Sequence, residues 1–500
     1  MPFRIAKIRP KDPAVYFQKE ETWKTRTWQD FCSDIKKCAA RLQKLGFKKG
    51  NYAIIRGDSC YEWLVLDMAT YLLQLINVPV SIDISKNSLD EIRLITQEDK
   101  VLTVDKKHQH AGEINLSDYA SYAEEIHKID ETKIFSSTQP DEIATVMFTS
   151  GSTGTPKGVV RKHASIIFNI KNFHSIGEVY KDDIYYLLLS LNHITGRQGW
   201  YRYMACGMAI AIPNLLDLNF DINSMQALKP THTTLVPRCL EKIVNKHLSE
   251  AKHTHLNIKD FFGGKLRYFS YGGSRTPQRI LDRLNDGSVA MVNGYGSTEA
   301  SVVSIQVPGD ACDGSCGNPL KDYFLKISDA GELFIKSEGL FSGYLTNNGF
   351  DSSKIDQDGF FHTGDIAEFD ALGHLRVKGR LDGSFAGNDG NRIFPSYIEQ
   401  LLEAKEEIEE AIIFGDELPF VSAIIYPRTT KTLQEVQSAV NQTNQILENS
   451  EKIKKFYLLT EHIPDDIRTK LRSGKIKIHR PNAQAIYQKI INNFYNSQGK

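Results

Sequence analysis

Over most of the first 380 residues, strand-like apolar runs alternate with stretches whose apolar residues recur at helical spacing. Few folds accept that alternation. Parallel strands need a long crossover, usually a helix, so the pattern predicts an α/β architecture of mixed and largely parallel sheets. Residues 50–55 read as a strand, 60–75 as a helix and 78–80 as the start of the next strand. Residues 208–212, 231–236 and 266–270 read as further strands, with helices expected over about 238–248 and 277–284. Each strand ends in a polar, Gly-bearing turn, which is where α/β proteins place their ligands. The character changes at 310–345, where glycines and short alternating runs such as Glu332-Leu333-Phe334-Ile335 predict a small antiparallel, β-barrel-like unit. After Gly379-Arg380-Leu381-Asp382-Gly383 a strand (421–427) and a helix (432–447) suffice for a compact second domain. The expected division is a large N-terminal domain, 1–380, and a small mobile α+β domain, 381–500.

Five hundred residues exceed what one hydrophobic core usually supports, which also argues for two domains. Lys and Arg total 61, as do Asp and Glu, so no bulk charge draws the chain to nucleic acid or an anionic membrane. No stretch reaches the roughly 18 apolar residues of a membrane span, and no signal peptide is evident in Met1 to Lys7. Of the seven scattered cysteines only Cys312 and Cys316 lie close together, without a second pair to complete a zinc site. Free thiols in the reducing cytoplasm are expected, with no stable membrane insertion.

The chemistry-bearing segment is Thr149-Ser150-Gly151-Ser152-Thr153-Gly154-Thr155-Pro156-Lys157-Gly158, placed after the apolar run 144–148 and before a helical pattern at 163–173. Glycine lets a backbone approach phosphate closely, hydroxyls and N–H groups donate to its oxygens, and lysine adds charge. The segment is expected to grip a triphosphate from a turn between strand and helix. It is not a Walker A loop, because Pro156 and Gly158 stand where glycine and a hydroxyl are required.

Other turns supply what a nucleotide site needs. In Asn293-Gly294-Tyr295-Gly296-Ser297-Thr298-Glu299-Ala300, Tyr295 is suited to stack on a base and Thr298 to donate to phosphate. Glu299 is suited to hold Mg²⁺ against phosphate oxygens. An ordinary β-turn accounts for the composition equally well. Asp365, in Thr363-Gly364-Asp365, is placed as a ribose-binding carboxylate, and Arg380 as its companion for ribose or phosphate oxygens. The basic run from Arg468 to Lys477 reads by itself as a solvated charge cluster.

Taken in order, Thr149 to Gly158, Tyr295 to Glu299, Thr363 to Asp365, Gly379 to Asp382 and Ser473-Gly474-Lys475 resemble the adenylate-forming superfamily of acyl- and aryl-CoA synthetases, peptide-synthetase adenylation domains and firefly luciferase. The resemblance implies ATP-dependent activation of a small carboxylic acid to an acyl-adenylate. Transfer to a thiol follows, that of CoA or of a separate carrier protein's phosphopantetheine. It implies that Lys157 and the loop, Thr149, Ser150, Gly151, Ser152, Thr153 and Gly154 included, orient the outer phosphates. Gly272, Gly273, Ser274 and Tyr295, flanked by Asn293 and Gly296, would line the adenine. Glu299 would bind Mg²⁺ beside Thr298, Asp365 and Arg380 would hold the ribose, and Lys475 would bridge carboxylate and α-phosphate. Asp382 would be the hinge, and His193 would shape the carboxylate end of the acyl pocket, a histidine capping a turn accounting for it equally well. Gly383 departs from the family's second acidic residue, and the loop 384–395 carries one extra residue. Amino-acid-activating members usually place an Asp near His193; none lies between Ser190 and Cys206, so a plain carboxylic acid is implied. Trp200, Tyr201 and Tyr203 are expected in the core rather than in a pocket. A nucleotide-binding protein without turnover is the remaining alternative.

Overall fold

The computed structural model describes residues 1–19, 22–104, 109–150, 156–173, 179–213, 222–244, 257–273, 276, 278–306, 315–386, 392–416, 418–428, 431–464, 467–470, 476–478, 480 and 481–496. Strand formation follows the apolar runs. Tyr52–Arg56, Ile76–Val80 and Val101–Thr103 pair in parallel, and Ala53, Ile54, Ile55 and Val78 are wholly buried, as strands covered on both faces require. These belong to an eight-stranded sheet whose other half, Ile143–Ser150, Pro156–Lys162, Gly343–Thr346 and Gly349–Asp351, is joined by antiparallel pairs.

A nine-stranded sheet has six consecutive parallel strands, Ala290–Ser297, Tyr268–Gly272, His232–Leu235, Ile184–Tyr186, Ala209–Ile212 and Pro13–Lys19. Between the two large sheets lie the helices Trp28–Lys44, Tyr61–Leu72 and Ile194–Ala205, whose buried residues join one hydrophobic cluster. The first of these starts at a capping box in which Thr27 and Asp30 satisfy each other's backbone N–H groups. A third, four-stranded antiparallel sheet runs Phe324–Ile327, Glu332–Lys336, Phe361–Phe369 and Leu375–Arg380. The antiparallel unit expected at 310–345 therefore extends to Arg380, because strands distant in sequence complete it.

Past Arg380 a three-stranded sheet, Ile408–Phe414, Val421–Pro427 and Ile453–Leu458, packs with the helices Pro395–Glu403 and Leu433–Ile446. Arg480, at the start of the last helix, Arg480–Asn496, donates to both oxygens of Glu399 at 2.9 Å. The hydrophobic clusters divide here. Four draw on residues up to Val377, and two on residues from Phe385 onward. The short turn Leu381–Gly383, which contains Asp382, joins the two sets. Among the described residues no helix is long and apolar enough to cross a membrane.

Candidate active site

The Thr149–Gly158 segment corrects one expectation. It does not pass from strand to helix: Ile143–Ser150 and Pro156–Lys162 are antiparallel neighbours, with Thr149 opposite Lys157 and Ser150 opposite Pro156. The helix His163–Phe173 begins only after the second strand. The Thr149 hydroxyl donates to the Lys157 carbonyl at 3.5 Å. The phosphate-loop motif is thus the connection of a β-hairpin; Gly151, Ser152, Thr153 and Gly154 lie outside the described residues. The apolar run continuing through Val159 and Val160 is a second strand, and the motif's glycines hid the hairpin.

Two further motifs expected as turns are strands. Asn293, Tyr295 and Gly296 belong to Ala290–Ser297, and its last residues pair with Ser301–Ile305. A Cβ on Gly296 would stand 1.9 Å from the Ser301 carbonyl oxygen, so only glycine fits this crossing. Asn293 donates through Nδ2 to the Ser315 carbonyl at 2.9 Å. Thr363, Gly364 and Asp365 lie within Phe361–Phe369, where Asp365 faces Arg380 across the ladder. Gly272 ends a neighbouring parallel strand opposite Gly294, and Gly273 turns the chain at φ +84°. Ser274 lies outside the described residues.

These strands bring Tyr295, Asp365 and Arg380 together. The Tyr295 hydroxyl donates to Asp365 Oδ2 at 2.5 Å; Arg380 Nη1 donates to Asp365 Oδ1 at 3.2 Å and to the Thr363 carbonyl at 2.7 Å. Burial raises the Asp365 carboxyl above its ordinary range, against the pull of Arg380 and Tyr295. Burial works against the Arg380 cation too, but Asp365 and Asp382 outweigh it and raise its pKa. Arg380 therefore stays charged with its head half exposed, and Asp365 is a partly desolvated acceptor. Asp382 is tied to the same cation, its Oδ1 lying 3.4 Å from Arg380 Nε.

A second cluster surrounds Thr298 and Glu299. Tyr344 donates through its hydroxyl to Glu299 Oε1 at 2.9 Å, and Lys157 Nζ sits 5.9 Å from the centre of the Tyr344 ring. The strand Gly343–Thr346 brings Tyr344 there by pairing with Pro156–Lys162. Behind the turn stands Arg161, 1% exposed, which donates to the carbonyls of Thr298 at 2.9 Å, Glu299 at 3.3 Å and Gly339 at 2.8 Å. Burial pushes its pKa down to about 10. Tyr323 adds a bond from its hydroxyl to the Ala300 carbonyl at 2.9 Å. Sequence reasoning missed Arg161, Tyr323 and Tyr344. For Arg161 a signal existed, a charge ending the apolar run Val159-Val160; for the tyrosines none did.

Glu299 fits a magnesium ligand. Its Oε1 is oriented by Tyr344, and carboxylate oxygen is the donor this hard cation prefers. Among the described residues no group of three or more His, Cys, Asp or Glu is placed to cage a metal.

His193 caps the helix Ile194–Ala205 by position, without a side-chain cap bond. Trp200, Tyr201 and Tyr203 on that helix are buried, Trp200 and Tyr203 in the core as expected, while Tyr201 also lines a cavity. The strands Arg468–Lys470 and Ile476–Ile478 pair antiparallel, and Lys475 between them lies outside the described residues. The six cysteines described are free thiols.

Comparison with known proteins agrees with this geometry. A family model described as AMP-binding enzyme matches residues 3–345, and one described as AMP-binding enzyme C-terminal domain matches 385–499. The chain is 24% identical over 559 residues to a long-chain-fatty-acid–CoA ligase of Mycobacterium bovis, covering 93% of this chain and 92% of that one. It is 25% identical over 480 residues to a 2-succinylbenzoate–CoA ligase of Listeria monocytogenes, covering 94% and 97%. The fold is shared with o-succinylbenzoate CoA synthetase of Bacillus subtilis, solved with its acyl-adenylate intermediate, at a TM-score of 0.76, 21% identity and 97% coverage of both chains. With a model covering more than half of its length and the motifs in order, the chain belongs to the AMP-binding enzymes of the adenylate-forming superfamily.

Proposed function

We propose that this enzyme uses ATP and Mg²⁺ to convert a carboxylic acid to its acyl-adenylate, releasing pyrophosphate, and then passes the acyl group to the thiol of CoA. The observation that carries the reading is the convergence of Tyr295, Asp365 and Arg380 beside the Glu299 turn and the Thr149–Gly158 hairpin. The CoA ligases among its relatives support CoA as the acceptor.

Attack of a carboxylate oxygen on the α-phosphorus brings two anions together and expels a third. Lys157 is placed to accept the β- and γ-phosphates, with N–H groups and hydroxyls of the hairpin connection. Asp365 accepts from the ribose hydroxyls, and Arg380 keeps that carboxylate oriented while offering its exposed N–H groups. Tyr295 stands at the adenine side, its hydroxyl engaged by Asp365. Magnesium, held through Glu299, would supply charge neutralisation at the phosphate oxygens. Lys475 offsets the repulsion between carboxylate and α-phosphate, a contribution on the order of 10²–10³ in rate for one such electrostatic group. The chain about Asp382 turns between the two half-reactions and carries Lys475 away before the thiol enters. Its bond to Arg380 links that turn to the ribose site.

Carboxylate-dependent ATP–pyrophosphate exchange with a panel of acids tests the first step. Exchange with at least one acid is expected, and its absence with every acid would leave a nucleotide binder without turnover. Adding CoA or a phosphopantetheinylated carrier protein then identifies the acceptor, and thioester formed on the carrier alone would replace CoA.

A further inference from the structure

A cavity of about 490 Å³, its mouth included, opens beside the Glu299 turn. Its wall on the site side is Ser301 and Val302, two and three residues past Glu299, together with Arg161, which holds that turn. Met147, Ile166, Ile170, Ile194 and Val302 make its sides apolar. A tail leaving a carboxylate at the Glu299 turn therefore runs between the helices His163–Phe173 and Ile194–Ala205.

One wall of the cavity is built on charge. Arg197 and Tyr201 line the cavity, and immediately behind them Asp67 accepts from Arg197 Nη2 at 2.6 Å, with both side chains 1% exposed. Asp67 also accepts from Tyr201 at 3.1 Å, Trp200 at 3.3 Å and Asn77 at 3.2 Å, while Tyr71 and Tyr201 share a bond of 2.8 Å. To push past this wall an acyl chain would have to part a buried ion pair and strand both charges. The helix carrying Arg197 and Tyr201 has no room to retreat. A Cβ on Gly199 would stand 2.2 Å from the Tyr185 hydroxyl oxygen, so the helix already rests against that buried ring.

The geometry points to a compact acid as the substrate, a single-ring aryl or short- to medium-chain carboxylic acid whose tail stops at Arg197 and Tyr201, with long-chain acids excluded. This rests on the reading that the chain activates a carboxylate. In an apolar pocket one misplaced methylene changes kcat/KM by roughly 10- to 200-fold. Pyrophosphate exchange by the full chain, measured from acetate through stearate and across substituted benzoates, is expected to peak among the compact acids and fall by that factor per added methylene. A maximum at palmitate or stearate overturns the inference while leaving carboxylate activation intact; no exchange with any acid defeats carboxylate activation itself. Ile170→Ala, which widens one wall, is expected to raise kcat/KM about tenfold for the first acid the native pocket rejects. Val302→Phe is expected to reject aryl acids before short linear ones. If both variants fold by thermal melt and leave the acid profile unchanged, this cavity does not hold the acid.

Discussion

Among the described residues Arg161 has no carboxylate in ion-pair contact, and it spends its donors on the backbone carbonyls of Thr298, Glu299 and Gly339. A buried cation is tolerated only when its N–H groups are satisfied, so the bond works in both directions: the turn keeps Arg161 charged, and Arg161 keeps the turn in place. Arg161→Met leaves buried acceptors unmatched at about 1–3 kcal/mol for an orphaned group. Urea unfolding is expected to show a loss of at least that size, with Arg161→Lys recovering part of it; a fully stable Met variant would refute the role. Arg380 belongs to the opposite regime, half exposed and oriented by Asp365. For Arg380→Leu the KM for ATP is expected to rise about 10- to 100-fold, the equivalent of a lost charge-assisted bond of roughly 1.5–3 kcal/mol. Initial rates over an ATP series check it, and an unaltered KM would remove Arg380 from the ribose site.

At the scale of elements, His232 opens the strand His232–Leu235 in the middle of the nine-stranded sheet and is 4% exposed. Burial holds it neutral, with its pKa pushed down to about 4; Asp183 opposes that shift, and Arg267 and Arg202 assist it. The unfolded chain binds this proton near pH 6.5 and the fold only near 4, so stability is full above 6.5 and lost as the pH falls through that window. Chemical denaturation between pH 7 and 4 is expected to show the decline, and His232→Gln to flatten it. Equal slopes for the two proteins would assign the decline to other groups. The hairpin Ile143–Lys162 shows why element identity was harder to read than element existence. Its apolar runs are plain in the sequence, but a run through Gly158-Val159-Val160 pairs as a strand only because Tyr344 and Leu345 lie against it on the other side.

At the scale of the whole molecule, Lys475 belongs to the part of the chain past Asp382, whereas Glu299, Asp365 and Lys157 belong to the part before it. Lys475→Ala is therefore expected to abolish acyl-adenylate formation while ATP binding, followed by calorimetry, stays within about threefold of the parent. Undiminished pyrophosphate exchange in that variant would shift the role to Lys470 or defeat the mechanism. By itself the sequence determined the α/β class, much of the strand–helix alternation and the motif residues, because burial periodicity and glycine–hydroxyl loops are local properties of the chain. The tertiary structure alone decided which strands meet: Tyr344 under Lys157, Arg161 behind Glu299, Arg380 across from Asp365, and Asp67 behind Arg197. Those pairings span from 15 to 187 residues along the chain, and sheet registry and helix packing, not local propensity, bring them into contact.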